Sequence, residues 1–144
     1  MDKDTIKIAN CSGYYGDKLS AAKEMVDGGP IDVLTGDYLA ELTMAILFNQ
    51  KMQRGADKGY VGTFLKQIKE IANTCKKKKI KIVTNAGGLN PSSMAAEIEK
   101  ILIDMGLDLK VAYIDGDDLM PRMEEFSDCC LLYTSDAADD SLRV

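Results

Sequence analysis

Histidine is missing from this 144-residue chain altogether, and so is tryptophan. The first absence excludes a Ser-His-Asp triad, a Cys-His dyad and histidine-ligated zinc built from these residues. Acid-base chemistry within the chain therefore falls to Asp, Glu, Lys, Tyr or Cys. Positive charge is also short: 18 Lys and Arg stand against 23 Asp and Glu, a net charge of −5. Nucleic acid and anionic membrane surfaces are held by clustered Lys and Arg, so neither is an expected partner. No apolar run approaches the roughly 20 residues that span a bilayer. The opening MDKDTIKIAN holds no apolar signal segment, which makes the cytoplasm the expected location. Cys11, Cys75, Cys129 and Cys130 do not form a spaced metal pattern, and the adjacent pair makes a poor disulfide; reduced thiols are expected.

What the chain does have is one pattern repeated four times: a short apolar run, a polar or glycine-bearing bend, then a helical period. Thr5–Ala9 leads into the bend Asn10–Asp17 and a helix with Leu19, Ala22, Met25 and Val26 on one face. That helix stops at Gly28-Gly29-Pro30. Ile31–Leu34 ends in Thr35-Gly36-Asp37, where Asp37 is placed to cap a helix starting near Tyr38. This helix is apolar on most sides through Phe48, as a helix buried or covered by another domain would be. After a polar linker, Phe64, Leu65, Ile68, Ile71, Ala72 and Cys75 form an amphipathic stripe. Ile80–Val83 leads into TNAGGLNP, with Asn90 as cap and Pro91 at the first helical position. Leu109–Ile114, the fourth run, ends in Asp115-Gly116-Asp117-Asp118, and a short helix follows near Leu119–Arg122. Strands alternating with helices predict an α/β fold, a mainly parallel Rossmann-like sheet of about four strands flanked by helices. Bends that follow parallel strands gather at the carboxyl edge of such a sheet, where open α/β folds bind ligands.

The candidate residues lie on those bends. Asn85, Gly87, Gly88 and Asn90 form a turn where two glycines admit a close backbone approach and the next helix start offers N–H groups to a phosphate or carboxylate. The same residues also make a plain capped turn with no ligand. Ser12 and Gly13 lie on a loop after the first strand, with Ser12 and Tyr14 as hydrogen-bond donors. That loop has neither the three-glycine dinucleotide spacing nor a Gly-Lys-Ser/Thr phosphate loop. Cys11 reads as a small buried thiol rather than an activated one. Thr35 and Gly36 flank Asp37, and Gly116 precedes Asp117. Asp37 and Asp117 are the two carboxylates chosen for acid-base work. Metal ligation by these aspartates is set aside, because Asp and Gly are ordinary loop formers. Lys76–Lys79 closes a helix, where positive charge complements the dipole.

The stretches IANCSGYYGDKLSAAKEMVDGGPIDVLTGDYLAELTMAIL and KIVTNAGGLNP resemble the N-terminal domain of the acyclic terpene utilisation family, the AtuA type. The resemblance runs from about Thr5 to Phe126. It implies a cytoplasmic catabolic protein of acyclic terpenoid or branched acyl-CoA breakdown, acting alongside biotin-dependent carboxylases, with further family motifs beyond Asp128. No catalytic residue and no cofactor is carried over from it. From about Cys130 the text CLLYTSDAADDSLRV resembles a translated sequencing-adapter remnant. The chain is accordingly divided into 1–128, the N-terminal α/β part, and 129–144, a non-native tail.

Two functions follow from the residues taken together with what the resemblance implies. One is an enzyme binding a small anionic molecule, an acyl-CoA or a carboxylate, at the strand ends. The other is a non-catalytic partner subunit of acyl-CoA carboxylases, with the apolar helix at 38–48 as its contact. Copies of the same chain, in a homo-oligomer, are a further partner to consider.

Overall fold

In the computed structural model, residues 5–127 are described; the stretch 129–144, read above as a tail, lies outside them. The elements in order are β1 (Ile8–Asn10), α1 (Ala21–Gly28), β2 (Val33–Gly36), α2 (Glu41–Arg54), α3 (Gly62–Lys78), β3 (Lys81–Thr84) and α4 (Pro91–Asp104). A short 3-10 helix, Met120–Phe126, closes the described chain. The three strands are parallel in the order β1-β2-β3, with Ile8, Val33 and Lys81 in register, then Ala9, Leu34 and Ile82. The fold class is thus the α/β class expected, an open parallel sheet flanked by helices.

Right-handed crossovers between successive neighbours carry their helices to one face of the sheet. Here α1 and α3 pack against each other and, with the sheet, enclose Ala22, Val26, Leu34, Ile71, Cys75 and Ile80. A second cluster joins α3 to α4 through Phe64, Ile68, Met94, Ile98 and Leu102, with Tyr38 and Leu47 behind them. The Tyr38 and Phe64 rings meet edge to face, centroids 5.8 Å apart. The opposite face is different. Ile8 is 64% exposed and Val83 62% exposed, so no helix covers it there. The burial alternation of β2 and β3 records the same asymmetry, with Leu34 and Gly36 inward and Lys81 and Val83 outward.

Five expectations need correction. The run Leu109–Ile114 forms no fourth strand. Its one backbone bond among the described residues is from Leu109 N–H to the Leu107 carbonyl. A cavity separates it from β3, and of its side chains only Val111 packs on the core. Strand β1 begins at Ile8 rather than Thr5. Helix α1 begins at Ala21, which leaves Leu19 largely outside the core. Asp37 does not cap a helix at Tyr38: α2 starts at Glu41 after extended Ala40, because the Asp37 carboxylate is taken by Asn85 Nδ2 at 2.6 Å and by the Leu39 N–H at 3.4 Å. Finally, α2 is not buried all round. Thr43 and Leu47 face inward, while Leu42, Phe48 and Met52 are largely exposed.

Candidate functional site

Three of the four bends converge, and hydrogen bonds between them fix how. Strand β1 hands over to Cys11, whose N–H donates to the Thr35 carbonyl at 2.9 Å. One residue on, the Ser12 carbonyl accepts the Asp37 N–H at 3.0 Å. The exit of β2 is tied in turn to that of β3: the Asn85 amide oxygen accepts the Tyr38 N–H at 2.8 Å, while the Asn85 amide nitrogen donates to Asp37. An asparagine held at both ends of its amide has one orientation, and it aims an N–H at the carboxylate. Below them the Thr84 hydroxyl donates to the Gly36 carbonyl at 2.8 Å and accepts the Ala86 N–H at 3.1 Å. Asp37 and Asn85 are both exposed, so the carboxylate and amide stand at the surface of a rigid rim.

The TNAGGLNP turn is more self-contained than its glycines suggested. Its Ala86, Gly88, Leu89 and Asn90 N–H groups go to Thr84 Oγ1 and to the carbonyls of Asn85, Gly59 and Gly87. Asn90 Oδ1 accepts the Ser93 N–H, and Pro91 has none to offer. The glycines serve packing. At Gly88, φ is +53°, and a Cβ there would lie 2.4 Å from Leu47 Cδ1 and 2.8 Å from the Gly59 carbonyl. At Gly87 a Cβ would press on Pro91 at 2.8 Å. Gly36 likewise makes room for the Tyr38 ring.

The Ser12–Asp17 loop also satisfies itself. Buried Ser12 donates its hydroxyl to the Tyr14 carbonyl at 3.0 Å, and the Gly13 N–H donates to Asp17 Oδ2 at 3.0 Å. The Gly13 and Lys18 N–H groups hold the Asp17 carboxyl below its ordinary range. Beneath the rim, the Tyr38 hydroxyl donates to Gln67 Oε1 at 2.6 Å and lies 3.8 Å from Cys11 Sγ, and Gln67 Nε2 donates to the Leu19 carbonyl at 3.3 Å. Burial pushes both Tyr38 and Cys11 up in pKa, so Cys11 is a protonated, packed thiol. Cys75, buried beside α1, is pushed up to about 11 by the same desolvation.

The fourth bend joins from the side. A cavity of about 720 Å³ opens along the free edge of β3, between that strand, the apolar sides of α3 and α4, and the segment Leu109–Ile114. Phe64, Ile68, Ile82, Met94, Ile98 and Leu102 give it apolar walls. Thr84, Asn85, Gly87, Gly88 and Asp117 border it as well, and so do Lys81 and Lys110. Asp117 thus borders the cavity that Asn85 borders, while Gly116 lies in exposed chain at φ +115°. Thr35 and Gly36 belong to β2, with the Thr35 hydroxyl 3.3 Å from both the Ala9 carbonyl and Asn10 Oδ1. Asn90 is turned to the Ala56 and Lys58 carbonyls, 2.9 and 3.2 Å away. Among the described residues no group of three or more Cys, Asp or Glu is gathered as a metal site, and no helix is long and apolar enough to cross a membrane.

Sequence reasoning missed Tyr38, whose backbone N–H fixes Asn85, and Asn10, which stands beside Thr35. A tyrosine directly after a candidate carboxylate was the available signal for the first. A polar residue closing an apolar strand was the signal for the second.

No curated protein and no solved structure matches the chain. The model of a protein family, described as acyclic terpene utilisation family protein AtuA, matches residues 6–142. That match spans nearly all of the sequence whose strand exits build the rim, and the chain belongs to the acyclic terpene utilisation family of the AtuA type.

Proposed function

We propose that this chain is part of an enzyme of acyclic terpenoid or branched acyl-CoA breakdown in the cytoplasm, binding an acyl compound at the carboxyl edge of its sheet. The observation that carries the reading is the cavity along β3: apolar for most of its length and polar where Asn85 and Asp117 border it. A branched hydrocarbon chain suits the apolar walls, at roughly 0.8 kcal/mol for each methylene withdrawn from water. A carboxylate or thioester oxygen suits the Asn85 amide, and Lys110 and Lys81 offer an anion a cation. Asp37, positioned by Asn85 at 2.6 Å, is the acid-base group, and Asp117 supplies a second carboxylate across the cavity mouth. The turn at Gly87-Gly88 shapes this mouth.

The test is a thermal-shift screen against geranic acid, citronellic acid, their CoA thioesters and unbranched acids of equal length. Branched compounds should raise the melting temperature in proportion to occupancy, and Asn85→Leu should remove the rise. A melting temperature unmoved by every acyl compound would overturn the reading.

A second reading, a non-catalytic partner subunit of acyl-CoA carboxylases, is favoured by α2, where Leu42 is 73% and Met52 71% exposed. An exposed apolar stripe of that kind suits a protein contact. Co-purification with a carboxylase subunit that is lost in Leu42→Asp/Met52→Asp would support it.

A further inference from the structure

The uncovered face of the sheet changes character along the strands. Its first row is Ile8, Val33 and Lys81, and its second is Asn10, Thr35 and Val83. Toward the carboxyl end four polar groups come in two linked pairs. Asn10 and Thr35 are register partners on β1 and β2, with Oγ1 and Oδ1 3.3 Å apart. Two residues farther along the chain than Thr35 and Val83 come Asp37 and Asn85, joined at 2.6 Å. The two pairs are therefore about 7 Å apart along the strand direction, at about 3.3 Å per residue.

Strands of a parallel sheet are ordinarily covered on both faces and read as continuous apolar runs. Asn10 and Thr35, side by side on such strands, run against that pattern, and Asp37 and Asn85 follow at the exits of β2 and β3. Asn10, Asp37 and Asn85 are exposed, and the cores lie on the other face, although Asn85 also ties the exits of β2 and β3 together.

We propose that Asn10, Thr35, Asp37 and Asn85 form one binding platform on the open sheet face, and that it takes a hydroxyl-bearing carbonyl or carboxylate head group. The assignment follows from donors and acceptors. The amide nitrogens of Asn10 and Asn85 donate, which matches a carbonyl or carboxylate oxygen. The Asp37 carboxylate only accepts when ionised, so its ligand partner must carry a proton, and a hydroxyl does. A bare dianion would face Asp37 with nothing to donate. Asn10 and Thr35, on this account, are binding residues alongside the strand-exit pair, and the hydroxyl selects the ligand. The inference rests on the reading that the strand exits bind an acyl compound and adds the chemistry of its head.

The experiment is a titration of the ¹⁵N-labelled full chain with 3-hydroxybutyrate and, in parallel, butyrate, followed by side-chain and backbone amide NMR signals. The hydroxy acid should move the side-chain amide signals of both Asn10 and Asn85 and bind about ten-fold more tightly than butyrate, the worth of one hydrogen bond to a charged group. Thr35→Val, which keeps the shape, and Asn10→Leu should each weaken the hydroxy acid at least about five-fold with other backbone signals unmoved. Equal affinity for the two acids overturns the proposal, as does the absence of any shift. Shifts confined to the Gly87 and Ser92 backbone amides also overturn it, while leaving an acyl site at the strand exits in place. A thermal-shift screen that is silent for every acyl compound removes that wider reading instead.

Discussion

The two faces of this sheet are made from the same strands and have opposite chemistry. Toward the helices, Leu34 is wholly buried, Ile82 and Ala9 pack beside it, and Ile71 and Cys75 close over them. Away from the helices, the residues between these in sequence remain open to solvent, and the row ends in Asn10, Thr35, Asp37 and Asn85. One face has its polar groups satisfied and its apolar groups packed. The other keeps a hydrogen-bonding surface at its carboxyl end. The difference teaches where to look for stability and where to look for binding, and substitutions on the two faces should separate the two properties.

The largest expected effect is on the covered face. Leu34→Ala should lower the unfolding free energy by about 2–5 kcal/mol, because a fully enclosed side chain leaves a cavity. Val83→Ala, on the same sheet but outward, should cost under about 1 kcal/mol. Urea unfolding of the two variants checks this, and equal losses would erase the distinction between the faces.

Next comes the rim. On the proposed enzymatic reading, Asp37→Asn should lower acyl-compound turnover by about 10²-fold or more, the contribution of a positioned acid-base group. The unfolding free energy should stay within about 0.5 kcal/mol of the parent, since the residue is exposed. Retained turnover would take Asp37 out of the chemistry.

Gly88→Ala tests the turn as a packing element. Its positive φ and the Leu47 and Gly59 atoms waiting for a Cβ predict a loss of about 1–3 kcal/mol. The loss should shrink in a Leu47→Ala background, which a double-mutant cycle reads directly. A turn that opened freely to a ligand would show neither effect.

The smallest effect concerns pH. The Cys75 thiol is raised from its ordinary value near 9.0 to about 11 in the fold, so above pH 9 the unfolded chain binds fewer protons than the native one. The stabilisation is complete below about pH 9 and is lost as the pH climbs through about 11. Cys75→Ala should flatten the decline by on the order of 1 kcal/mol across that window. An unchanged slope would mean that the thiol is not desolvated.

The sequence announced its helices and the parallel character of its sheet well, and for a physical reason. The stripe Phe64, Ile68, Ile71, Ala72 and Cys75 has a single period that only a helix satisfies, and all five are buried. Pro91 after Asn90 marked the start of α4 to the residue. What failed was local preference that tertiary partners overrode. Asp37 has the chemistry of a cap, but Asn85 is 48 residues away in sequence, and no local rule foresees its hydrogen bond. Leu109–Ile114 has the composition of a strand, yet strand formation needs an aligned neighbour, and across the cavity it has none. For the site, the glycines drew attention because glycine permits close approach. The close approach turned out to be by Leu47, Gly59 and Pro91. Asn10 was passed over because a lone polar residue at a strand end gains meaning only once the register puts Thr35 beside it.

The account makes one claim above the others: the rim formed by the strand exits is the surface that meets the ligand, and the helical side is scaffold. Hydrogen exchange of the full chain with and without saturating geranic acid measures this most directly. The account predicts added protection in peptides spanning 10–14, 35–39 and 84–90, with α3 between 66 and 75 unchanged. Protection along α2, or around Lys7, Asp32 and Lys78 at the amino end of the strands, with the three exits unaffected, would contradict it.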